Sequence, residues 1–126
     1  MTADEARQLA EFYQSLGAAV QDYRLAKINE LSDEESRALV QAEGELLDAS
    51  SSMLGLAGRL TLDELEETLQ RISGATAQMK DAIHSLQAVK KVIGVATAAV
   101  ALGGALVTGN PVAIVAAVNN VAEAAG

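Results

Sequence analysis

Cysteine and tryptophan are absent from this 126-residue chain, and histidine and proline occur once each. Without cysteine there is no disulfide and no thiol chemistry, and the redox compartment is left open. The single proline, Pro111, means that nothing before it is forced to break a helix. Aromatics are almost as scarce, with Phe12, Tyr13 and Tyr23 making up the whole set. Sheets draw on aromatic and β-branched residues, whereas Ala and Leu are the commonest residues here. The expected fold is therefore all-α, and its core has to be aliphatic.

Positive charge is the next shortage, with 9 Lys and Arg against 17 Asp and Glu, a formal net charge of −8. Residues 1–67 carry 5 basic and 15 acidic side chains, net −10, while residues 68–126 carry 4 basic and 2 acidic ones, net +2. The acidic front repels phosphate backbones, and no basic stripe offsets it, which argues against a nucleic-acid partner. The start of the chain is acidic (Asp4, Glu5) and holds no apolar stretch behind a basic end. No secretory signal is expected, so synthesis is cytoplasmic, followed by membrane association or by export without a signal peptide.

Hydrophobic residues make up 50% of the 126 positions, enough for the core of one compact unit. Three S/T-x-x-E boxes mark helix starts, namely Thr2 with Glu5, Ser32 with Glu35 and Thr61 with Glu64. In such a box two side chains satisfy backbone N–H groups that have no partner within the helix. Leu39, Ala42, Leu46, Ala49, Met53, Leu56 and Leu60 follow a heptad, and so do Leu62, Leu65, Leu69, Ile72, Met79, Ile83, Leu86 and Ile93, with Thr76 and Lys90 as breaks. The first stripe is looser, with Leu9, Phe12, Leu16, Val20 and Tyr23, then Leu25, Ile28 and Leu31. These stripes predict an antiparallel three-helix bundle with helices over about 3–29, 33–57 and 62–91.

The third pattern has no clear stop and runs through Lys90 and Lys91 into VIGVATAAVALGGALV, residues 92–107. A continuous helix from 62 to 107 would be about 69 Å long and would overhang the other two. Gly109, Asn110 and Pro111 then read as a tight corner, with glycine past a helix end, asparagine as N-cap and proline at the first helical position. The expected organisation is an amphipathic bundle over 1–91 with a long third helix. A C-terminal apolar helical hairpin over 92–126 follows, Ala- and Gly-rich, with its turn at 108–111.

Within residues 92–126 the only charged side chain is Glu123, so the hairpin must be hidden by protein or by lipid. The side chains expected to face a membrane or a partner are Val92, Ile93, Val95, Val100, Leu102, Leu106 and Val107 on the first arm. On the second arm they are Val112, Ile114, Val115 and Val118. Residues 92–107 fall short of the roughly 20 needed to span a bilayer as one helix. Extending the run back to Leu86 brings Lys90 and Lys91 into it, and these can snorkel to the headgroups. Lys80, Lys90 and Lys91 are the expected headgroup contacts. Insertion on these terms is marginal, which suits a reversible engagement better than a permanent span.

Catalytic chemistry finds little support. Asp81-x-x-His84 is half of a di-iron motif, which needs a second such pair and further core glutamates. Asp63, Glu64, Glu66 and Glu67 crowd a helix start, where the dipole favours negative charge without any metal. The glycines at 94, 103, 104 and 109 match no phosphate loop. The chain is expected to be no enzyme and to use no metal, cofactor or small-molecule substrate.

The layout over residues 86–126, an apolar hairpin attached to an amphipathic helical bundle, resembles that of α-helical pore-forming toxins and related membrane-permeabilising proteins. The resemblance is one of architecture and rests on no diagnostic motif. It implies a protein stored in soluble form whose hairpin enters membrane. The other expectation is a structural or interaction module that buries the hairpin in a homo-oligomer or against a partner's helices.

Overall fold

A computed structural model of the chain describes residues 2–56, 70, 74, 77–83 and 88–125. The fold is all-α. Helix α1 spans Ala3–Ala26, α2 Asp33–Leu54, α3 Val89–Thr108 and α4 Pro111–Ala125. Residues 77–83 form a further helical stretch.

The first two helices start where their capping boxes place them. The Thr2 hydroxyl accepts from the Glu5 N–H at 3.1 Å, and the Thr2 N–H donates to the Glu5 carboxylate at 2.9 Å. Ser32 and Glu35 repeat the arrangement at 3.1 and 2.9 Å. These bonds, from the cap's backbone first and its hydroxyl second, hold both carboxyls below the ordinary carboxylate range. Both helices end a little earlier than the apolar pattern suggests. After Ala26 the Lys27 carbonyl accepts from the Glu30 and Leu31 N–H groups, turning the chain towards the Ser32 cap. Beyond Leu54, the Gly55 N–H turns back onto the Ser52 carbonyl.

Helices α1 and α2 form an antiparallel pair. The Ser50 hydroxyl donates to the Ala10 carbonyl at 2.7 Å, and Arg24 reaches Glu43 in a two-pronged ion pair at 2.7 and 3.3 Å. Later residues of α1 thus meet earlier residues of α2. Gly17 allows the close approach at the seam, since a Cβ there would sit 3.4 Å from the Leu47 side chain. Leu39, Ala42, Leu46, Met53 and Leu56 are buried, and Ala49 packs half-buried against them. On α1 the buried set is wider than one heptad stripe, adding Ala6, Ala10, Tyr13 and Ala19 to Leu9, Phe12, Leu16, Val20 and Tyr23.

The third helix departs from expectation. Helix α3 begins at Val89, and Ala88 before it has extended backbone (φ −57°, ψ 147°). The uninterrupted helix expected through Lys90 and Lys91 is therefore broken at Ala88. The physical reason is burial. A straight helix would carry Val92, Val95, Ala96, Ala99, Leu102 and Leu106 past the end of the bundle, whereas all six are buried here. Each large aliphatic removed from water contributes about 1.5–3 kcal/mol, more than the few backbone bonds lost at one break. The Thr61–Glu64 box and most of the third heptad lie outside the described residues. Of that stripe Met79 and Ile83 are described, and both are buried.

Helix α3 packs against α2 and touches α1, while α4 lies against α3. On α4 the buried positions are Ile114, Ala117, Val118 and Val121, a 3-4 spacing that faces one neighbour. The boundary expected at 91–92 falls inside α3, whose buried face belongs to the same core as α1 and α2.

The corner between α3 and α4 is built from Gly109, Asn110 and Pro111. Gly109 takes a left-handed conformation (φ 71°), and its N–H returns to the Ala105 carbonyl at 3.1 Å. The Asn110 side chain accepts from the Val112 and Ala113 N–H groups at 3.0 and 3.3 Å, capping α4 behind Pro111. Gly109, which caps α3, and Gly94 within it should respond to alanine with opposite signs. Gly109→Ala should cost about 1–2 kcal/mol, because an L side chain is strained at that φ. Gly94→Ala should gain up to about 1 kcal/mol, because an added Cβ meets nothing within 4 Å in mid-helix. Chemical denaturation followed by circular dichroism checks both signs.

Candidate functional site

The residues singled out in the hairpin divide into two sets. Val92, Val95, Leu102 and Leu106 of α3, with Ile114 and Val118 of α4, are buried inside the chain's own core. Ile93 and Val100 are half-buried and pack against that core. Val107, Val112 and Val115 are exposed, at 41%, 79% and 43%. All three lie within about a turn of the Gly109–Asn110–Pro111 corner, so the outward-facing large aliphatics of the hairpin gather at its tip. The chain between Lys91 and Glu123 carries no charge.

At the other end of α3 the arrangement runs against local helix preferences. Ala88 is the N-cap and supplies no side-chain hydrogen bond. Lys90 and Lys91 occupy the first turn, where the dipole disfavours cations by about 0.3–1 kcal/mol each at an exposed position. Lys90 is exposed, while Lys91 and Lys80 are half-buried. The helix dipole therefore does not favour the two lysines at this end. Val89–Thr108 is 20 residues of sufficiently apolar composition, the length that crosses a hydrocarbon core.

What docks α3 to the bundle includes a buried polar contact that no sequence pattern announces. Tyr13, fully buried on α1, donates its hydroxyl hydrogen to the Ala99 carbonyl of α3 at 2.6 Å. A phenol that far from water needs such a partner. Gly103 makes the approach possible, since a Cβ on it would lie 3.3 Å from the Tyr13 hydroxyl and 3.5 Å from the Ala49 methyl. Burial raises the Tyr13 pKa well above the ordinary phenol range, opposed only in part by a hydrogen bond from the Gly103 backbone. The Phe12 ring lies 5.1 Å from that of Tyr13, tilted by 53°.

Outside the hairpin the exposed large aliphatics are Leu25, Ile28, Val40, Leu47 and Leu54. Val40, Leu47 and Leu54 recur every seven residues along α2, one position after the buried Leu39, Leu46 and Met53. His84 lies outside the described residues. Among the described residues no group of three or more His, Asp or Glu is placed to hold a metal ion, and no buried side-chain nitrogen or oxygen lacks a hydrogen-bond partner.

Removing the Tyr13 hydroxyl should weaken the docking of α3. Tyr13→Phe keeps the ring and is expected to cost about 1 kcal/mol at neutral pH, read as a lower denaturation midpoint. The pH dependence has a definite sign. Below about pH 10, the ordinary phenol value, Tyr13 is protonated in both folded and unfolded chains, and its contribution is complete. Above that, the unfolded chain loses a proton that the folded chain keeps, so stability falls as pH rises towards the elevated folded value. Tyr23, also raised mainly by burial, shares in this loss. Tyr13→Phe should flatten the alkaline slope without abolishing it.

Compared with protein-family models, curated proteins and solved structures, the chain matches none of them, and its function is read from this geometry.

Proposed function

We propose that this is a non-enzymatic helical-bundle protein whose C-terminal hairpin engages membranes reversibly, in the manner of a pore-former or a membrane-permeabilising subunit. The observation that carries the reading is the uncharged tip, where Val107, Val112 and Val115 face solvent around the Gly109–Asn110–Pro111 corner. Such a tip can enter the headgroup region before any buried contact breaks. Full entry then exchanges protein for lipid around Val92, Val95, Leu102 and Leu106, at little change in apolar burial. Lys90 and Lys91, placed against the dipole at the base of α3, are about 25 Å from the tip at 1.5 Å per residue. They are suited to anionic headgroups at the end of the inserted segment, with Lys80 nearby in sequence.

A second reading rests on a different observation. Val92, Val95, Leu102 and Leu106 of α3 are already buried in the chain's own core, and an exposed aliphatic stripe lies on α2 at Val40, Leu47 and Leu54. That suits a soluble interaction module assembled as a homo-oligomer or with a partner protein.

Liposome co-sedimentation, paired with light scattering on the lipid-free protein, tests the first reading against the second. Wild type should pellet with anionic vesicles. Val112→Glu should remain in the supernatant while melting as wild type does, because Val112 is 79% exposed. Changing Lys90 and Lys91 together to Gln should weaken binding to anionic vesicles roughly tenfold or more, at about 1 kcal/mol per lysine. That attraction should fade with added salt, which screens charges beyond about 10 Å at 0.1 M. Wild type that pellets with neither anionic nor neutral vesicles overturns the membrane reading.

A further inference from the structure

Between α2 and α3 runs an open groove of about 460 Å³. Its floor includes Ala49, Met53, Gly103 and Gly104, and Val100 and Val107 stand along the α3 side. Gly104 leaves its part of the floor as bare backbone, since a Cβ there would meet nothing within 4 Å. The α2 side is acidic, with Glu45 and Asp48 on the lining and both exposed. Neither carboxylate takes part in an ion pair among the described residues, and no basic side chain lines the groove.

We propose that this groove is a docking site for a cationic amphipathic helix of a partner protein. The chemistry selects the occupant. An apolar floor calls for aliphatic side chains, and two carboxylates on one wall, Glu45 accepting from the neutral Gln41 amide at 3.1 Å, call for a lysine or arginine beside them. The lining covers Glu45 to Met53 and Val100 to Val107, about 12 Å along each helix, which matches two turns of a guest helix laid between two host helices. Glycine at 104 lets that guest backbone come close. Lipid is a poor occupant, because carboxylates repel phosphate headgroups. A second copy is poor too: its exposed aliphatic stripe, Val40, Leu47 and Leu54, lies on α2, which carries six acidic side chains against the one basic Arg37 and is repelled by Glu45 and Asp48. The site shares Val107 with the hairpin tip but lies otherwise between α2 and α3, and the docking does not depend on the membrane reading.

The test uses the full chain without lipid and a dye-labelled synthetic helical peptide with Leu and Ala on one face and Lys on the other. Fluorescence anisotropy should show saturable binding. The bound peptide should also raise the melting temperature, because the groove exists only while α3 is docked. Glu45→Gln with Asp48→Gln should weaken binding about tenfold or more. Gly104→Leu, which fills the groove from an open position, should do the same while melting at or above the parent temperature. Asp22→Asn with Glu123→Gln, removing two exposed acids elsewhere, should leave binding unchanged, and the peptide with Glu in place of Lys should not bind. The proposal is overturned if the lysine peptide does not bind. It is equally overturned if G104L and E45Q/D48Q bind as the parent does, or if the D22N/E123Q control loses as much. Light scattering that shows a peptide-free dimer dissolved by G104L would assign the groove to a second copy instead.

Discussion

A helix with no charge beyond its first turn has to be shielded from water, and here the shield is the α1–α2 pair closed by one buried hydroxyl. Val92, Val95, Leu102 and Leu106 supply the apolar contact, and the bond from Tyr13 to the Ala99 carbonyl gives it a fixed register. The aliphatic contact alone would tolerate sliding, since Leu and Val side chains have no preferred partner. A 2.6 Å hydrogen bond in a dry site does not. Gly103, held bare by Tyr13 on one side and Ala49 on the other, is what lets the three helices meet at that point.

The break at Ala88 follows from the same requirement. A helix end without a side-chain cap, carrying Lys90 and Lys91 in its first turn, is a poor local structure. It exists because the aliphatic face beyond it gains more from folding back than the helix loses by stopping. The two ends of α3 thus differ in kind. The far end is closed by Gly109, whose N–H satisfies the Ala105 carbonyl, and by the Thr108 hydroxyl on the same oxygen at 2.7 Å.

The parts of the fold legible in the sequence are those governed by neighbours within a few residues. Thr2 with Glu5, Ser32 with Glu35, and the glycine–asparagine–proline corner all act over three or four positions, and each lies where its chemistry placed it. The heptad of α2 was legible because one face meets one set of neighbours. The break at Ala88 was not: alanine is the best helix former, and the apolar period, off pattern at Lys90, resumes beyond it at Ile93. Nor was the Tyr13 contact, which joins residues 86 apart, so that no local pattern carries it. The groove was hidden for the same reason, since Glu45 and Asp48 read as a solvated face until α3 lies beside them. In the hairpin the aliphatic composition was plain, but which valines face outward depends on α1 and α2 and could not be read from the run itself.

The many alanines and glycines of the hairpin bear on the entropy of any rearrangement. Ala and Gly lose no rotamer freedom when packed, whereas longer side chains lose up to about 2 kcal/mol each. Ala96, Ala98, Ala99, Gly103 and Gly104 therefore order no side chains when α3 docks and release none when it leaves. What conformational cost remains for these residues sits in the backbone, and it is spared wherever the helix is kept. A segment built like this can change what surrounds it with little change in its own disorder, so the balance between its environments is set by contact and charge.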